Sequence, residues 1–350
     1  MAPRDTVESP MRRPTIADVA ELAQTSRGTV SFVINNRPGV ATATRERVLR
    51  AMRELNWTPN RTARALSTSR AYAIGFILAR DAMALSSDPF FAPFIAGMET
   101  RLDESGHFLM LRFANSHESE RAAYLRLMEQ RRVDGFVLSD LTQDDYRFDL
   151  LAEHSFPAVT LNVADRSTRL PSVSRSDEPG VAATVQHLIE LGHRRIAYVG
   201  GPFHYLHVAR RRATWEATLR DSGIEPGPAI ASDFTASGGS AATAQLLDLP
   251  KNERPTAIVF ANDLMAASGM SYALNRGLRV PEDLSITGYD DFELAAFLSP
   301  SLTTVRTDPT AWGAAAVDHL LALINGDDPS DLALPPPTLI TRDSTGPAPQ

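Results

Sequence analysis

Residues 15–36 read TIADVAELAQTSRGTVSFVINN, and this stretch decides the fold of the amino-terminal part of the chain. Its first apolar residues are spaced three and four positions apart, which predicts the buried face of a helix: Ile16, Val19, Ala20 and Ala23. Thr15 and Asp18 have the spacing of a capping box that begins this helix. After the break at Gln24-Thr25, Ser26 is a good N-cap for a second helix.

Two further helices follow from the same kind of pattern. The second helix has Val30, Val33 and Ile34 on its apolar face and ends at Arg37-Pro38-Gly39. Thr44 is expected to open a third helix, whose inward residues are Val48, Leu49, Met52 and Leu55. Three short helices in about 45 residues, the first two joined by a tight turn, predict a helix-turn-helix module.

The second helix of such a module enters the major groove of DNA, so its first residues reach base edges. Arg27 suits a bidentate contact with guanine, and a plain phosphate contact stays open as the alternative. Hydroxyl and amide side chains nearby suit phosphate oxygens, which fix position without reading sequence. The residues expected to face DNA are Thr15, Ser26, Arg27, Gly28, Thr29, Ser31, Phe32 and Asn35.

The charge of the chain is distributed unevenly. The formal net charge is −7, yet residues 11–70 carry eleven arginines against four acidic residues, a net of +7. The remainder is strongly acidic. A basic end on an acidic body is expected when one segment binds a polyanion such as DNA. A basic surface that is merely solvated would give the same charge distribution.

From Ala71 onward, short β-rich runs alternate with helical runs. The expected strands begin near residues 74, 108, 135, 158, 196, 257 and 285, and helices are expected at 93–105, 118–131, 180–191, 210–222, 238–247, 263–276 and 310–324. This alternation predicts βαβ units with parallel sheets. The expected strands and helices are numerous enough to form two such lobes. Residues 1–13 and 346–350 are expected to be tails, and the six prolines of residues 326–350 predict an irregular segment.

Ligands of open parallel sheets bind beyond the carboxyl ends of the strands. The residues just past four expected strands are polar: Ser139, Asn162, Asn262 and Asp290. This convergence suits a sugar-like ligand with many hydroxyl groups. Asp263 is expected to cap the following helix, and Asp291 competes with Asp290 for the ligand.

Several classes of function are disfavoured. The chain lacks the serine-hydrolase, phosphate-loop, zinc-protease and dinucleotide motifs, so no enzyme activity and no cofactor are expected. With no cysteine, disulfides and thiolate metal sites are excluded. No apolar run is long enough to span a membrane, and no secretory signal is recognised, which predicts a cytoplasmic protein. A periplasmic binding protein would share the expected body but lack residues 14–69.

The motifs together resemble the LacI-type (lac-repressor/galactose-repressor) family of bacterial transcription regulators. The matching runs are TIADVA (15–20), SRGTVS (26–31), TRERV (44–48), LNWTPN (55–60), GHRRI (192–196), ND (262–263), GLRVPED (277–283) and LTTV (302–305). The resemblance covers residues 14–345. It implies a helix-turn-helix headpiece (14–58), a hinge helix (59–70) and a two-lobed α/β effector-binding and dimerisation domain like periplasmic binding proteins (71–345). The implied lobes are 71–173 with 302–334, and 174–301 with 335–345.

The resemblance also assigns roles to individual residues. In the hinge, Asn60 would cap a short helix, Arg61 and Arg64 would meet phosphates, and Leu66 would wedge between bases of the minor groove. In the body, the resemblance favours Asp290 over Asp291 and adds effector-binding residues: Phe90, Phe91, Arg211 and Phe234. Phe32 stands where the family usually has arginine, and Thr214 replaces a family glycine.

The expected function is therefore sequence-specific DNA binding, most simply as a repressor. A homodimer would bind a double-stranded, pseudo-palindromic operator, and a small-molecule effector, sugar-like in chemistry, would control that affinity. Whether the effector releases or recruits DNA stays open, and His204 and His207 have no assigned role. No membrane partner is expected.

Overall fold

The computed structural model describes residues 14–34, 37–58, 70–80, 88–164, 168 and 170–350. The chain divides into two compact units, residues 1–70 and residues 71–350, which we call the head and the body. No helix in the described ranges is long and apolar enough to cross a membrane.

The described part of the head contains three helices: α1 (Ile16–Leu22), α2 (Arg27–Ile34) and α3 (Thr42–Glu54). The expected capping box is present, because the Thr15 backbone N–H and hydroxyl both donate to Asp18 Oδ2, at 2.6 and 2.7 Å. Ser26 Oγ caps α2 by accepting the backbone N–H of Thr29 at 3.0 Å. The first contact begins α1, and the second begins α2 directly after the tight turn.

The core of the head corrects two details of the sequence analysis. Helix α3 begins at Thr42, two residues before Thr44. Leu49, expected to point inward, is exposed, whereas Ala51 is buried instead, because the inward face of α3 follows Val48, Ala51 and Leu55. The buried core residues are Val19, Ala20, Ala23, Val30, Val33, Val48 and Ala51.

The body contains eight α-helices among its described residues. They are α4 (Phe91–Ser105), α5 (His117–Glu129), α6 (Tyr146–Glu153), α7 (Glu178–Glu190), α8 (Leu206–Asp221), α9 (Ala236–Leu247), α10 (Asp263–Asn275) and α11 (Pro309–Ile324). A short 3-10 helix covers Glu293–Ala296. The seven expected helices lie within four residues of these bounds, and α6 was not expected.

The strands of the body are short and mostly buried. They are β1 (Ala73–Leu78), β2 (Phe108–Phe113), β3 (Gly135–Leu138), β4 (Ala158–Leu161), β5 (Ser172–Ser174), β6 (Ile196–Gly200), β7 (Ala229–Ala231), β8 (Ala257–Phe260), β9 (Ser285–Thr287), β10 (Thr304–Arg306), β11 (Leu332–Ala333) and β12 (Thr338–Ile340). The expected strands all form. The strands that the sequence did not indicate have two or three residues, too few for a periodic pattern.

Two parallel sheets organise the body into two lobes, as the fold class predicted. The sheet of the first lobe has the order β11-β5-β4-β3-β1-β2, and that of the second lobe β7-β6-β8-β9. In the first lobe, β1 is buried on both faces: Phe76 packs under α4 and α11, and Ile77 packs on the opposite side. Helices α4 and α11 approach so closely that a Cβ at Gly97 would lie 2.0 Å from the carbonyl oxygen of Thr310.

The carboxyl-terminal segment is mostly irregular, as its prolines indicated, but it is held to the body rather than frayed. Strands β10 and β12 pair antiparallel, and Ser344 is fully buried and donates to the carbonyl of Ile286 at 2.6 Å. Beyond it, Gly346 bonds to the buried His193, and the Ala348 N–H donates to Leu191 at 2.8 Å. Residues 346–348 are therefore bound to the second lobe, which sequence composition could not reveal.

Candidate functional site

A cavity lies between the two lobes, at the carboxyl ends of the parallel strands. It contains about 670 Å³ not filled by atoms, a figure that includes its opening to solvent. Polar residues reach it from both sheets, and four of them each follow the last residue of a strand by one to three positions: Ser139, Asn162, Asn262 and Asp290. The eight residues expected to bind the effector all line this cavity: Phe90, Phe91, Ser139, Asn162, Arg211, Phe234, Asn262 and Asp290.

The backbone at this cavity adopts unusual conformations. Asn162, Phe234 and Asp290 have φ angles of 71°, 66° and 102°, in the left-handed region that favours glycine. Such conformations cost free energy, most of all for a bulky residue such as phenylalanine, and they cluster at functional sites. Here they turn three side chains from strand ends into the cavity.

An ion triad centred on Arg80 forms one wall. The Nε and Nη2 atoms of Arg80 donate to the two carboxylate oxygens of Asp140 at 2.6 and 2.7 Å, and Nη1 lies 3.1 Å from Asp88. Burial alone would raise the pKa of Asp140, but the Arg80 guanidinium outweighs it and holds this pKa below its ordinary value. For Asp88 burial prevails, so its pKa is raised.

The same guanidinium lies over aromatic rings. Its Cζ atom is 5.1 Å from the ring centre of Phe91 in the first lobe, and 5.5 and 4.7 Å from those of Tyr205 and Phe234 in the second. A backbone hydrogen bond of 2.8 Å from Leu206 to Leu141 also joins the lobes here. Cation–π attraction of this kind stabilises the contact between the two lobes.

Arg211 forms a second buried ion pair on the opposite wall. Its Nε donates to Asp177 at 2.8 Å, its Nη1 donates to the carbonyl of Ala261 at 3.1 Å, and its Cζ lies 3.7 Å from the ring centre of Tyr289. The Tyr289 hydroxyl donates to the same carboxylate at 2.7 Å. Burial opposes ionisation of Asp177, but these two donors and the charge of Arg211 keep its pKa below the ordinary value.

Asp290 is the carboxylate of the cavity that lacks a close cationic partner. Among the described residues, its side chain accepts one hydrogen bond, of 3.4 Å from the Thr307 hydroxyl. Burial raises its pKa to about 7, although Arg211 acts in the opposite direction. Asp291, by contrast, accepts from Arg306 and Arg342, both at 2.6 Å. The two neighbours therefore differ: Asp291 is fully engaged, and Asp290 is available to a ligand.

His207 also lines the cavity, where burial lowers its pKa to about 4. The ring is therefore neutral at physiological pH and offers one donor and one acceptor. It lies roughly parallel to the rings of Tyr205 and Phe234, at centroid distances of 5.8 and 6.1 Å. Among the described residues, no group of three or more histidine or acidic side chains could hold a metal ion.

The head presents a different surface. Arg27 and Gly28 are exposed at the start of α2, and Phe32 is 44% exposed on the same helix. Two arginines of α3 have structural contacts: Arg45 donates to the carbonyl of Val33 at 3.3 Å, and Arg47 Nε donates to that of Ala23 at 3.3 Å. The exposed surface of α2 therefore combines a cation, a glycine and an apolar ring.

Comparison with known proteins agrees with this architecture. A model of the lacI family of bacterial regulatory proteins matches residues 15–60, and one of a periplasmic binding protein-like domain matches residues 185–345. The lactose operon repressor of Escherichia coli (strain K12) is 35% identical over 340 residues, which are 96% of this chain and 91% of that protein. The chain belongs to the lacI family.

Other relatives lead to the same family. The HTH-type transcriptional repressor PurR of Aliivibrio fischeri (strain MJ11) is 34% identical over 317 residues, 90% of this chain and 93% of that protein. The solved lac repressor dimer bound to operator and the anti-inducer ONPF has a TM-score of 0.82 and 32% identity, covering 96% of this chain and 100% of that one. The CelR–cellobiose complex has a TM-score of 0.72 and 32% identity, covering 95% and 100%.

This lacI-family protein is thus a DNA-binding regulator of transcription under small-molecule control, and not an enzyme. Its structure corrects one detail of the expected cavity. Asn262, not Asp263, caps α10 by accepting the N–H of Met265 at 2.9 Å, while its amide donates to the carbonyl of Phe234. Asp263 is buried and accepts hydrogen bonds from Thr304 and the Phe292 N–H.

The predicted DNA-facing residues of the regulator fall into three groups. Thr15, Ser26 and Thr29 use their hydroxyls in helix caps or in contact with one another. Arg27, Gly28 and Phe32 are exposed on α2, and Ser31 is partly exposed there. The remaining predicted residues lie outside the described ranges: Asn35, Asn60, Arg61, Arg64 and Leu66.

Sequence reasoning missed several residues that line the cavity, namely Arg80, Asp88, Asp140, His207 and Trp312. Asp140 directly follows Ser139, so the rule for strand ends could have included it. Arg80 follows the last residue of β1 by two positions, so the same rule could have included it. Asp88, His207 and Trp312 carry no such signal, since their position depends on how the two lobes meet. The departure at Thr214 does not disturb the fold: α8 is continuous, and the Thr214 hydroxyl donates to the carbonyl of Arg210 at 3.0 Å.

Proposed function

We propose that the effector of this regulator is a sugar or sugar derivative bound in the cavity between the lobes. The observation that carries the proposal is the composition of that cavity, where polar groups from both sheets alternate with aromatic rings. The side chains of Ser139, Asn162 and Asp290 supply hydrogen-bonding groups that suit hydroxyls. Two named relatives agree with this chemistry, since one represses the lactose operon and another was solved with cellobiose.

The aromatic part of the cavity supports the same ligand class. Phe90 stacks on Phe94 and meets the indole of Trp312 edge to face, with ring centroids 5.5 and 5.9 Å apart. Phe234 comes from the other lobe. Apolar ring faces bind the C–H face of a pyranose, while the polar groups fix its orientation.

The regulator would act as a homodimer on a pseudo-palindromic operator. The solved lac repressor is likewise a dimer bound to operator. Two exposed apolar surfaces of the body suit a partner subunit. Leu294 and Phe297, around the 3-10 helix, are 61% and 77% exposed. Phe108 is 52% exposed on β2, the edge of the sheet that the described residues form. A partner subunit that covers the edge strand and these side chains would remove the free-energy cost of exposing them to water.

Control of DNA binding follows from linkage. The cavity takes residues from both lobes, so a ligand that binds there changes the free energy of closing the cleft. If closure alters the geometry of the two heads, the ligand must alter operator affinity, and the operator must alter ligand affinity by the same factor. We propose repression as the output, on the strength of the relatives that are repressors.

Ser139 offers a clean test of the cavity. Its buried Oγ has no hydrogen-bond partner among the described residues, so Ser139→Ala removes no contact of the free protein. Ser172 is a matched control, because its Oγ is equally buried and equally unpartnered in the described chain but does not line the cavity. Calorimetry with cellobiose, lactose and glucose would first find a ligand.

We expect Ser139→Ala to leave the melting temperature unchanged and to weaken saccharide binding about fivefold, the value of one neutral hydrogen bond. Ser172→Ala should bind as the wild type does. Equal affinity in both variants would remove Ser139 from the site. Failure of these neutral sugars and also of glucuronate and glucose 6-phosphate to bind would refute the proposed ligand class.

A further inference from the structure

A smaller cavity adjoins the effector cavity and shares Asn162 and His207 with it. It lies at the first crossing of the chain between the lobes, just before α7, and its lining includes Arg175 and Arg210. Arg175 is only 5% exposed. Within the part of the chain that the structure describes, its guanidinium makes no hydrogen bond or ion pair, and its Nε atom is a buried donor without an acceptor.

A buried guanidinium without a partner is costly, because desolvation removes its water contacts and no carboxylate replaces them. The indole of Trp312, with its ring centre 4.7 Å from the Arg175 Cζ, compensates only in part. The other two buried arginines here, Arg80 and Arg211, each have a carboxylate at 2.8 Å or less. Arg175 is the exception among them.

The acidic groups nearby are engaged or distant. Asp177, two residues along the chain, already accepts from Arg211 and Tyr289. Glu178 is exposed to solvent. Arg210 reaches the smaller cavity from the second lobe with a single long hydrogen bond, 3.5 Å to the carbonyl of Ala164. The smaller cavity therefore holds two guanidinium groups and lacks a free buried carboxylate among its described residues.

We propose that the effector is an acidic sugar derivative whose anionic oxygen group, a carboxylate or a phosphate, enters the smaller cavity and binds Arg175 and Arg210. Planar guanidinium groups bind such oxygens by charge-assisted, often bidentate hydrogen bonds. The sugar ring would lie against Trp312 and Phe90 in the larger cavity. This inference rests on the proposed sugar effector and narrows its chemical class.

The opposing explanation is that Arg175 serves only as a distant counter-charge for Asp290. That role would need no ligand, and it predicts that removing the cation destabilises the free protein. The two explanations therefore differ both in the stability of the free protein and in the choice of ligand.

The experiment compares the wild type with Arg175→Met, which keeps an unbranched stem, shorter than that of arginine, and removes the charge. Arg121→Met, on the exposed face of α5, is the control for the loss of one arginine. Thermal shifts are measured with inorganic phosphate against chloride of equal ionic strength. Calorimetry then compares glucose, glucuronate and glucose 6-phosphate, three ligands that share one ring.

We expect phosphate to raise the melting temperature of the wild type and of Arg121→Met, but not of Arg175→Met. At least one acidic sugar should bind the wild type about tenfold or more tightly than glucose does, and this preference should vanish in Arg175→Met. Whichever of glucuronate and glucose 6-phosphate binds more tightly shows whether the anionic group of the effector is a carboxylate or a phosphate. Without ligand, Arg175→Met should be as stable as the wild type or more so.

Three results would overturn the inference. One is the same phosphate shift in all three proteins, which would mean unspecific binding. Another is binding of glucose as tight as that of both acids, which would leave the sugar proposal standing without its anionic group. The third is a less stable Arg175→Met variant with unchanged ligand preference, which would assign Arg175 a structural role. Binding of phosphate through Arg175 with no response to any sugar would support the anion site and contradict the sugar ring instead.

Discussion

Replacing Asp290 by asparagine should stabilise the free protein and weaken effector binding. The wild-type carboxyl has a pKa of about 7 in the folded body against an ordinary value of 3.8. Folding therefore favours the protonated form. This contribution to stability is complete below about pH 4, and it is lost as the pH rises through 7.

The magnitude follows from the same difference. About three pKa units correspond to about 4 kcal/mol, and because the residue is partly exposed to the cavity we expect about 1–3 kcal/mol. In a body of this size that is a rise of roughly 2–6 °C in melting temperature for Asp290→Asn at pH 8. The difference should shrink as the pH falls and nearly vanish at about pH 4 and below, where the carboxyl is protonated in the unfolded chain as well as in the folded protein.

Effector binding should respond in the opposite sense. An ionised carboxylate accepts stronger hydrogen bonds from hydroxyls than a neutral group does, so wild-type affinity should rise up to about tenfold between pH 6 and 8. Asp290→Asn should lose that pH dependence and bind about tenfold more weakly at pH 8. The assays are calorimetric melting and ligand titration across this range. A variant that melts lower at both pH values would refute the reasoning and make Asp290 a structural residue.

Three other substitutions test separate parts of the molecule. Arg211→Ala leaves Asp177 buried without its cation and should lower the free energy of unfolding by about 3–5 kcal/mol. Arg212→Ala, which breaks a more exposed ion pair, should lower it by less than about 1 kcal/mol, and equal losses in denaturant melts would contradict this role of the buried pair. Phe297→Asp should shift the protein towards monomer in sedimentation, and an unchanged dimer would place the interface elsewhere. Arg27→Ala should relax preference at one base pair per half-site by about 1–3 kcal/mol, and an unchanged consensus in a selection experiment would limit Arg27 to phosphate contact.

The sequence predicts the ligand cavity well where position along the chain suffices. Ser139, Asn162, Asn262 and Asp290 follow strands that are buried and therefore easy to recognise, and parallel strands bring their ends to one edge. The spacing of the helices in the head is likewise a local property. Its one wrong inward residue, Leu49, lies at the border of the buried face, where a shift of one position changes exposure.

The rest depends on contacts between distant segments. The Arg80–Asp140 pair spans 60 residues, so neither residue signals the other. Arg175 follows a strand, but its distinguishing feature is that its guanidinium has no hydrogen-bond or ion-pair partner among the described residues. No sequence pattern reveals such a feature. The carboxyl-terminal segment looked irregular because proline disfavours regular strands, yet buried hydrogen bonds to Ser285 and His193 hold it in place.

The central claim is that a small molecule in the cavity between the lobes controls operator binding by the head. The most direct test titrates operator DNA into the full chain with and without a saturating saccharide that calorimetry has identified, and then titrates that saccharide with and without operator. We predict a change in operator Kd of at least about fivefold, and an equal change in saccharide Kd when operator is present. An operator affinity that stays the same at saturating saccharide would contradict the account.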